Sequence, residues 1–318
     1  MKSIAVLTSG GDSPGMNACI RAVVRYAISQ GLKVYGVARG YSGLIENKIV
    51  QLTERSVGNI IHTGGTFLKT SRCKDFLTKE GVDLAAENLK KKGIDGLVVI
   101  GGDGSFRGAK EISTRGIKVA CVPGTIDNNL FYTDYTLGFD TAVNTVVGLI
   151  NNVRDTSISH DRVSIIEVMG AGCGDVALDS GFAGGADVIL VPEVAWSIDD
   201  VCNKLSLSKK QNKQCSIIVV SEHVCDPNDL AKMIQQKANI ECRTVILGHV
   251  QRGGTPTAFD RNLASMLGAK CVEMIIQGEC GAAGYKNGKV IFVSIDEALS
   301  GNRKFNLEKY NLAQRLSF

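Results

Sequence analysis

Two acidic residues are set apart by their neighbours. Asp103 lies inside Gly101-Gly102-Asp103-Gly104-Ser105, and Asp127 closes Pro123-Gly124-Thr125-Ile126-Asp127 ahead of Asn128 and Asn129. Flanking glycines leave the Asp103 carboxylate and the backbone amides around it open to a ligand, which suits a polyphosphate carrying a divalent cation. A plain tight turn is the alternative. Asp127, two residues past a hydroxyl, could take a proton from a substrate hydroxyl. Taken alone it could equally form an Asx-turn or cap a helix. Arg72, Arg162, Arg243 and Arg252 are read as standing at strand ends, with His249 three residues before Arg252. Planar guanidinium groups suit phosphate oxygens. Arg243 lies at the start of the run that Arg252 follows. It is therefore either a surface residue or a contributor to a neighbouring subunit's ligand. Glu222, just past another run, could accept sugar hydroxyls or be a solvated loop carboxylate.

Both acidic loops follow short apolar runs, Leu97–Ile100 and Ile117–Val122. Runs of this length fit strands buried on both faces of a parallel sheet. Phe106–Arg115 between them is long enough for a crossover helix. In open α/β sheets ligands bind at the carboxyl ends of strands, where both loops then lie. The chain starts with the same plan: strand Ile4–Thr8, loop Ser9–Gly15, and helical spacing from Met16. That loop matches neither GxxxxGK[ST] nor GxGxxG, so it is a phosphate-loop candidate of neither common type. Further strands are expected at Lys33–Ala38, Val163–Val168, Val188–Val191, Ser216–Val220, Thr244–Leu247 and Val290–Val293. Helices are expected at Gly81–Lys92, Asp140–Arg154 and Asp260–Ile276. The alternation predicts an α/β protein with two doubly wound, Rossmann-like parallel sheets and a soft boundary near Gly138.

The chain has 318 residues and a net charge of +4, with 36 basic and 32 acidic residues intermixed. That balance offers no nucleic-acid stripe. Ten cysteines include no CxxC pair and no zinc spacing. The reading is a reduced, cytoplasmic protein without disulfides. No apolar run approaches the ~20 residues that span a bilayer, so neither a membrane nor a nucleic acid is an expected partner.

Strung together, the motifs resemble one family from end to end. LTSGGDSPGMN (7–17), GGTFLKTSR (64–72), GGDGS (101–105), PGTIDN (123–128), EVMG (167–170), SEH (221–223) and LGHVQRGGTPTAFDR (247–261) are similar to the bacterial-type ATP-dependent 6-phosphofructokinases. The resemblance implies the phosphofructokinase fold. It divides the chain into a larger ATP-binding domain (1–138 plus 251–301) and a smaller fructose 6-phosphate domain (139–250 plus 302–318). It implies transfer of the ATP γ-phosphoryl group to the sugar's 1-hydroxyl, with Asp127 as base and Thr125 binding the transferred group. Gly11, Arg72, Cys73, Gly102, Gly104 and Ser105 would hold ATP, and Asp103 would organise Mg2+. Ile126, Met169, Gly170, Ala171 and Glu222 would meet the sugar, as would His249, Val250, Gln251 and Arg252. Arg162 and Arg243 would reach in from a neighbouring subunit of a homotetramer. Gly104 and Gly124 match the ATP-using rather than the pyrophosphate-using branch. An effector site for ADP or phosphoenolpyruvate is implied at Arg21, Arg25, Arg154, Gly185, Asp187 and Lys213. Glu54, Asn59 and Gln211 depart from that site's usual Arg, Asp and Lys.

Other departures concern the reaction. Ala171 stands where the family usually has an arginine, Asn129 where it has aspartate, and Lys69 where it has glycine. Losing one preorganised donor costs ~2.7–4 kcal/mol in such sites. The alternative expectation is therefore a catalytically weakened paralogue that binds sugar phosphate or nucleotide as a regulatory subunit.

Overall fold

The computed structural model describes residues 1–317, which divide into two units. The first comprises residues 1–126, 130–141 and 252–303; the second comprises 127–129, 142–251 and the chain from 304 onward. The chain thus passes between them after residues 126, 129, 141, 251 and 303. Residues 127–129 group with the second unit although they interrupt the first.

In the first unit, β1 (Ser3–Thr8) leads to α1 (Met16–Ser29), then β2 (Lys33–Val37), α2 (Gly40–Ile45) and β3 (Ile49–Leu52). After α3 (Lys79–Lys91) come β4 (Gly96–Gly101), α4 (Asp103–Ser113) and β5 (Lys118–Pro123). The helix after β4 was expected from Phe106. It begins at Asp103, so the Gly102-Asp103-Gly104 run is a helix N-terminus and not a separate loop. Local chemistry explains other boundaries. Thr78 caps α3 by accepting from the Gly81 amide at 3.1 Å, with Glu80 in the first turn and Lys90 and Lys91 in the last.

α5 (Phe139–Ser159) carries the chain into the second unit and is longer than expected. There follow β6 (Val163–Val168), α6 (Asp175–Ala183), β7 (Val188–Leu190), α7 (Ile198–Lys210), β8 (Ser216–Ser221), α8 (Pro227–Ala238) and β9 (Cys242–Ile246). α8 starts on an Asp226 cap with Pro227 at its first position, where a missing N–H costs nothing. The chain then returns to the first unit with α9 (Ala258–Ile276), β10 (Gly281–Lys286), β11 (Lys289–Val293) and α10 (Ile295–Leu299). α11 (Leu307–Leu316) belongs to the second unit.

The first sheet runs β11-β10-β5-β4-β1-β2-β3, and the second β7-β8-β6-β9. The second is wholly parallel. The first departs from the all-parallel expectation at both edges, where β3 pairs antiparallel with β2 and β11 with β10. β3, IVQL, breaks its apolar run at Gln51, whereas β11 carries the run Val290–Val293 and still pairs antiparallel. The first sheet is buried on both faces. Ile4, Val98 and Ile100 face α1 and α9, while Leu97, Val99 and Val119 face the α3–α4 side. α9 packs on α1 and is apolar around much of its surface because it also covers β5 and β10. The second sheet has its own core around Ile165, Leu190, Leu205, Ile218 and Ile234.

Candidate active site

In the first sheet the strand order reverses at β1, which pairs with β2 on one side and β4 on the other. Ligands in doubly wound sheets bind outside the carboxyl ends of strands at such a switch point. The loop after β1 and the start of α4 meet there. The Ser9 amide donates to the Ile100 carbonyl at 2.9 Å, and a β-carbon on Gly101 would run into Ser9 and Ser105. α4 has Gly102 as N-cap, a residue with no side chain to accept from the helix's first amides. Uncapped N–H groups at the positive end of a helix dipole are what an anionic phosphate needs.

β5 delivers the third segment of this cluster. The Gly124 amide donates to the Gly101 carbonyl at 2.9 Å, and Thr136 Oγ1 donates to the Thr125 carbonyl at 2.6 Å. Gly124 is packed tightly: a β-carbon would lie 3.0 Å from Ile100 and 3.1 Å from Met16. Gly104 faces open space, with nothing within 4 Å of a β-carbon placed on it.

The segment carrying Arg72 is fastened on either side. Thr70 Oγ1 donates to the Gly10 carbonyl at 2.7 Å and Ser71 Oγ to the Arg39 carbonyl at 3.0 Å. Beyond it, Phe76 stacks on Tyr41 at 3.9 Å, and the Tyr41 hydroxyl donates to the Ser105 carbonyl at 2.5 Å. Arg72 itself is exposed. Cys73 is half-buried and packs against the cluster containing Tyr41 and Phe76. Asn17 holds the neighbouring turn to α1: Nδ2 reaches Thr63 and Gly64, and Oδ1 accepts from the Phe67 amide at 2.7 Å.

The Asp103 carboxylate is forked by Arg107 one turn along α4, with Nε–Oδ1 and Nη2–Oδ2 both at 3.2 Å. Both side chains are exposed, so the pair is weak and separable. Among the described residues no group of three or more His, Cys, Asp or Glu could cage a metal. One exposed carboxylate at a helix N-terminus fits Mg2+, which commonly uses one or two carboxylates plus phosphate oxygens and waters.

In the second unit the order reverses at β6, which pairs with β8 and β9. The loops after all three strands are tied together. Glu222 Oε1 accepts from the Gly170 amide at 3.0 Å and the Ala171 amide at 2.8 Å. Those bonds brace Ala171 in the left-handed region, at φ 49°. Gln251 Oε1 accepts from the Met169 amide at 3.1 Å while its Nε2 donates to the Gly248 carbonyl at 2.9 Å. Glu193 accepts from the Gly174 amide at 2.8 Å at the head of α6. Asp127 and Asn128 are buried, and Asn128 Nδ2 donates to Asp175 at 3.3 Å. Burial, reinforced by the nearby Glu222 and Asp226 charges, raises the pKa of Glu167.

Several expected contacts change character. Gln251 is fully buried and its amide is spent on backbone groups, so it braces two loops and offers nothing to a ligand. Ile126 is also fully buried, so it offers a ligand no open surface. His249, Val250 and Ala171 are exposed, and Met169, Glu222 and Arg252 half-buried. Arg162 and Arg243 fall at the opposite edge of the second sheet. Arg162 immediately precedes β6, and Arg243 pairs in register with Ser164. There Arg243 forms an exposed ion pair with Glu241 at 2.8 Å.

The expected effector residues come together in part. Arg154 donates to the Gly184 carbonyl and, at 3.0 Å, to the Gly185 carbonyl. Buried Asp187 pairs with Lys213 and accepts from the Ile217 amide at 2.9 Å. Arg21 and Arg25 lie on α1 in the first unit. The braces Asn17, Tyr41, Glu193 and Asp175 carried no local signal that would have marked them as support for the site. All ten cysteines are free thiols. No helix among the described residues is long and apolar enough to cross a membrane.

The comparisons agree with this geometry. The phosphofructokinase family model matches residues 3–275. ATP-dependent 6-phosphofructokinases of Clostridium botulinum and Clostridium acetobutylicum are 53% identical over 318 residues, covering the whole of both chains. The phosphofructokinase structure from Saccharomyces cerevisiae superposes with TM-score 0.89 at 32% identity over 99% of this chain, which spans 47% of the yeast chain. A pyrophosphate-dependent phosphofructokinase from Marinobacter aquaeolei, at TM-score 0.86 and 22% identity over 97% of this chain and 86% of its own, shares the fold. With its fold, its two switch-point loop clusters and full-length relatives in agreement, this chain belongs to the phosphofructokinase family.

Proposed function

We propose that the protein is an ATP-dependent 6-phosphofructokinase. It transfers the γ-phosphoryl group of ATP to the 1-hydroxyl of fructose 6-phosphate, giving fructose 1,6-bisphosphate and ADP. One observation carries this reading. At the end of β5 the Gly124 amide bonds the Gly101 carbonyl beside the start of α4, and two residues after Thr125 the chain carries a buried Asp127.

In this mechanism the amides at the start of α4 and in the Ser9–Gly15 loop bind the nucleotide phosphates, and Arg72 adds a cation. Asp103 would hold Mg2+, whose chemistry is to neutralise charge on the phosphates. Thr125 donates to the transferring group. Asp127 accepts the proton of the attacking hydroxyl, and the sugar is oriented by Met169, Glu222, His249 and Arg252. One Glu222 oxygen already serves two loop amides, which leaves the other for a sugar hydroxyl. Phosphoryl transfer asks mainly for positioning and electrostatic stabilisation, and the bracing described above supplies the first.

Arg162 and Arg243 stand at the amino edge of a sheet whose ligand loops are at its carboxyl edge. A six-residue strand spans about 20 Å. Their placement supports a role in a second copy's site, in a homotetramer. The effector cluster at Arg154, Gly185, Asp187 and Lys213, with Arg21 and Arg25, would take ADP or phosphoenolpyruvate. Free thiols throughout support a cytoplasmic location. Open space at Gly104 favours a nucleotide over pyrophosphate as donor.

Steady-state assays with ATP and with pyrophosphate test the reading. Turnover with ATP is expected, and it should fall by at least ~100-fold in Asp127→Ala, the scale of losing a general base. Full turnover in that variant would exclude Asp127 as the base. No turnover with saturable fructose 6-phosphate binding would instead point to a regulatory subunit, the reading that Ala171 favours.

A further inference from the structure

We propose that Gly11 and the backbone beside it form a seat for the Arg252 guanidinium, so that the donor-side loop positions the arginine that holds the acceptor's phosphate. This rests on the functional reading above. Glycine at 11 is not required by backbone conformation, because its φ lies outside the left-handed region that ten or more other glycines in this chain occupy. It is required by space. The three atoms nearest a β-carbon built on Gly11 all belong to Arg252: Nη1, Cζ at 3.0 Å and Nη2 at 3.4 Å. The guanidinium lies directly against the Gly11 α-carbon, where any larger residue would expel it.

A hydrogen bond completes the seat. Arg252 Nη1 donates to the Asp12 carbonyl at 3.3 Å. No carboxylate among the described residues pairs with Arg252, so the group is held by one carbonyl and by shape. Most of its five N–H donors remain for a phosphate. The backbone after Arg252 is gripped from another side: a β-carbon on Gly64 would collide with the Gly254 carbonyl. Two glycines of the donor-side loops therefore press the 252–254 segment into place, and Asn17 fixes the second of those loops to α1.

The consequence is preorganisation. A seated guanidinium presents its remaining fork in one orientation, whereas a displaced one must be ordered at each binding event. The collision in Gly11→Ala is with the far end of a flexible side chain and not with backbone, so the variant should fold normally and lose only the seat.

The test is a double-mutant cycle in the full-length protein, with Gly11→Ala, Arg252→Ala and the double variant. Melting temperature, the half-saturation for ATP, the half-saturation for fructose 6-phosphate and kcat are all measured. Gly11→Ala should leave the melting temperature unmoved. It should raise the fructose 6-phosphate half-saturation about 10-fold, the scale of one charge-assisted hydrogen bond, with a smaller change in kcat. The double variant should then be no worse for fructose 6-phosphate than Arg252→Ala alone. Multiplying effects in the double variant, or an unchanged sugar half-saturation in Gly11→Ala, would overturn the proposal while leaving the enzyme assignment intact. A wild-type protein that transfers nothing to fructose 6-phosphate would overturn the assignment and this inference with it.

Discussion

Replacing Gln251 with alanine removes a side chain that makes two hydrogen bonds and has no exposure to solvent. Its orientation is fixed by chemistry: the oxygen must face the Met169 N–H and the nitrogen must face the Gly248 carbonyl. Truncation strands both backbone groups. Each unsatisfied buried group costs about 1–3 kcal/mol; with both groups only partly buried, the pair predicts a loss of about 1–4 kcal/mol from the second unit. Urea unfolding should show a lowered midpoint with little change in slope. Hydrogen exchange offers a local readout, since the Met169 amide should lose most of its protection. Met169 and His249 lie beside the two stranded groups, so the half-saturation for fructose 6-phosphate should rise as well. Gln251→Glu makes the argument sharper. It keeps an acceptor for Met169 but sets an oxygen against the Gly248 carbonyl, and should also destabilise. A loss under about 0.5 kcal/mol in Gln251→Ala, with Met169 still protected, would mean the two loops do not depend on this bridge.

Two further perturbations follow from the same structure. Asp260 accepts from the Gly138 and Thr141 amides and from Thr141 Oγ1, yet burial pushes its carboxyl up to about 6 from the ordinary 3.8, with nearby Asp140 adding to the rise. A raised folded-state pKa gives stability that is full below the unfolded value and lost as pH climbs through the folded one. The wild type should therefore lose up to about 3 kcal/mol of its advantage over Asp260→Asn between about pH 4 and about pH 6.5, measured by paired urea melts; an advantage that grows with pH would refute the assignment. Ala171→Arg would place a guanidinium on the exposed left-handed residue that Glu222 already braces, and kcat should rise ~100-fold if charge on the transferring group limits turnover. An unchanged kcat would show that the missing arginine is not the limitation.

Much of the frame around the candidate site was readable from the chain because it depends on local signals. Buried strands ending in glycine announced the loops after β1, β4 and β5. The supporting residues were not readable. Gln251 meets Met169 across 82 positions and Asp260 meets Gly138 across 122, and nothing near either residue points to its partner. Glu222 reads as either a sugar-hydroxyl acceptor or a solvated loop carboxylate, and neither reading foresaw the oxygen it spends on backbone amides 51 and 52 residues away. The start of α4 was misplaced because glycines at 102 and 104 argue against a helix, yet the helix opens at Asp103. The antiparallel pairing at β11 escaped notice because its partner β10, with the sequence GAAGYK, has neither alternation nor a long apolar run.

The five passages of the chain between its units bear on the order in which the protein is made. α1 is synthesised early, but the helix it packs against, α9, begins only at Ala258. Until then the apolar face of α1 and the β5 edge of the central sheet lack their cover. The first unit therefore cannot close during translation until most of the second has been made. For this chain the usual rule that the N-terminal domain folds first gives way to a late, joint closure. That leaves a nascent species with a long exposed hydrophobic surface, for which a chaperone that binds apolar segments is the natural companion.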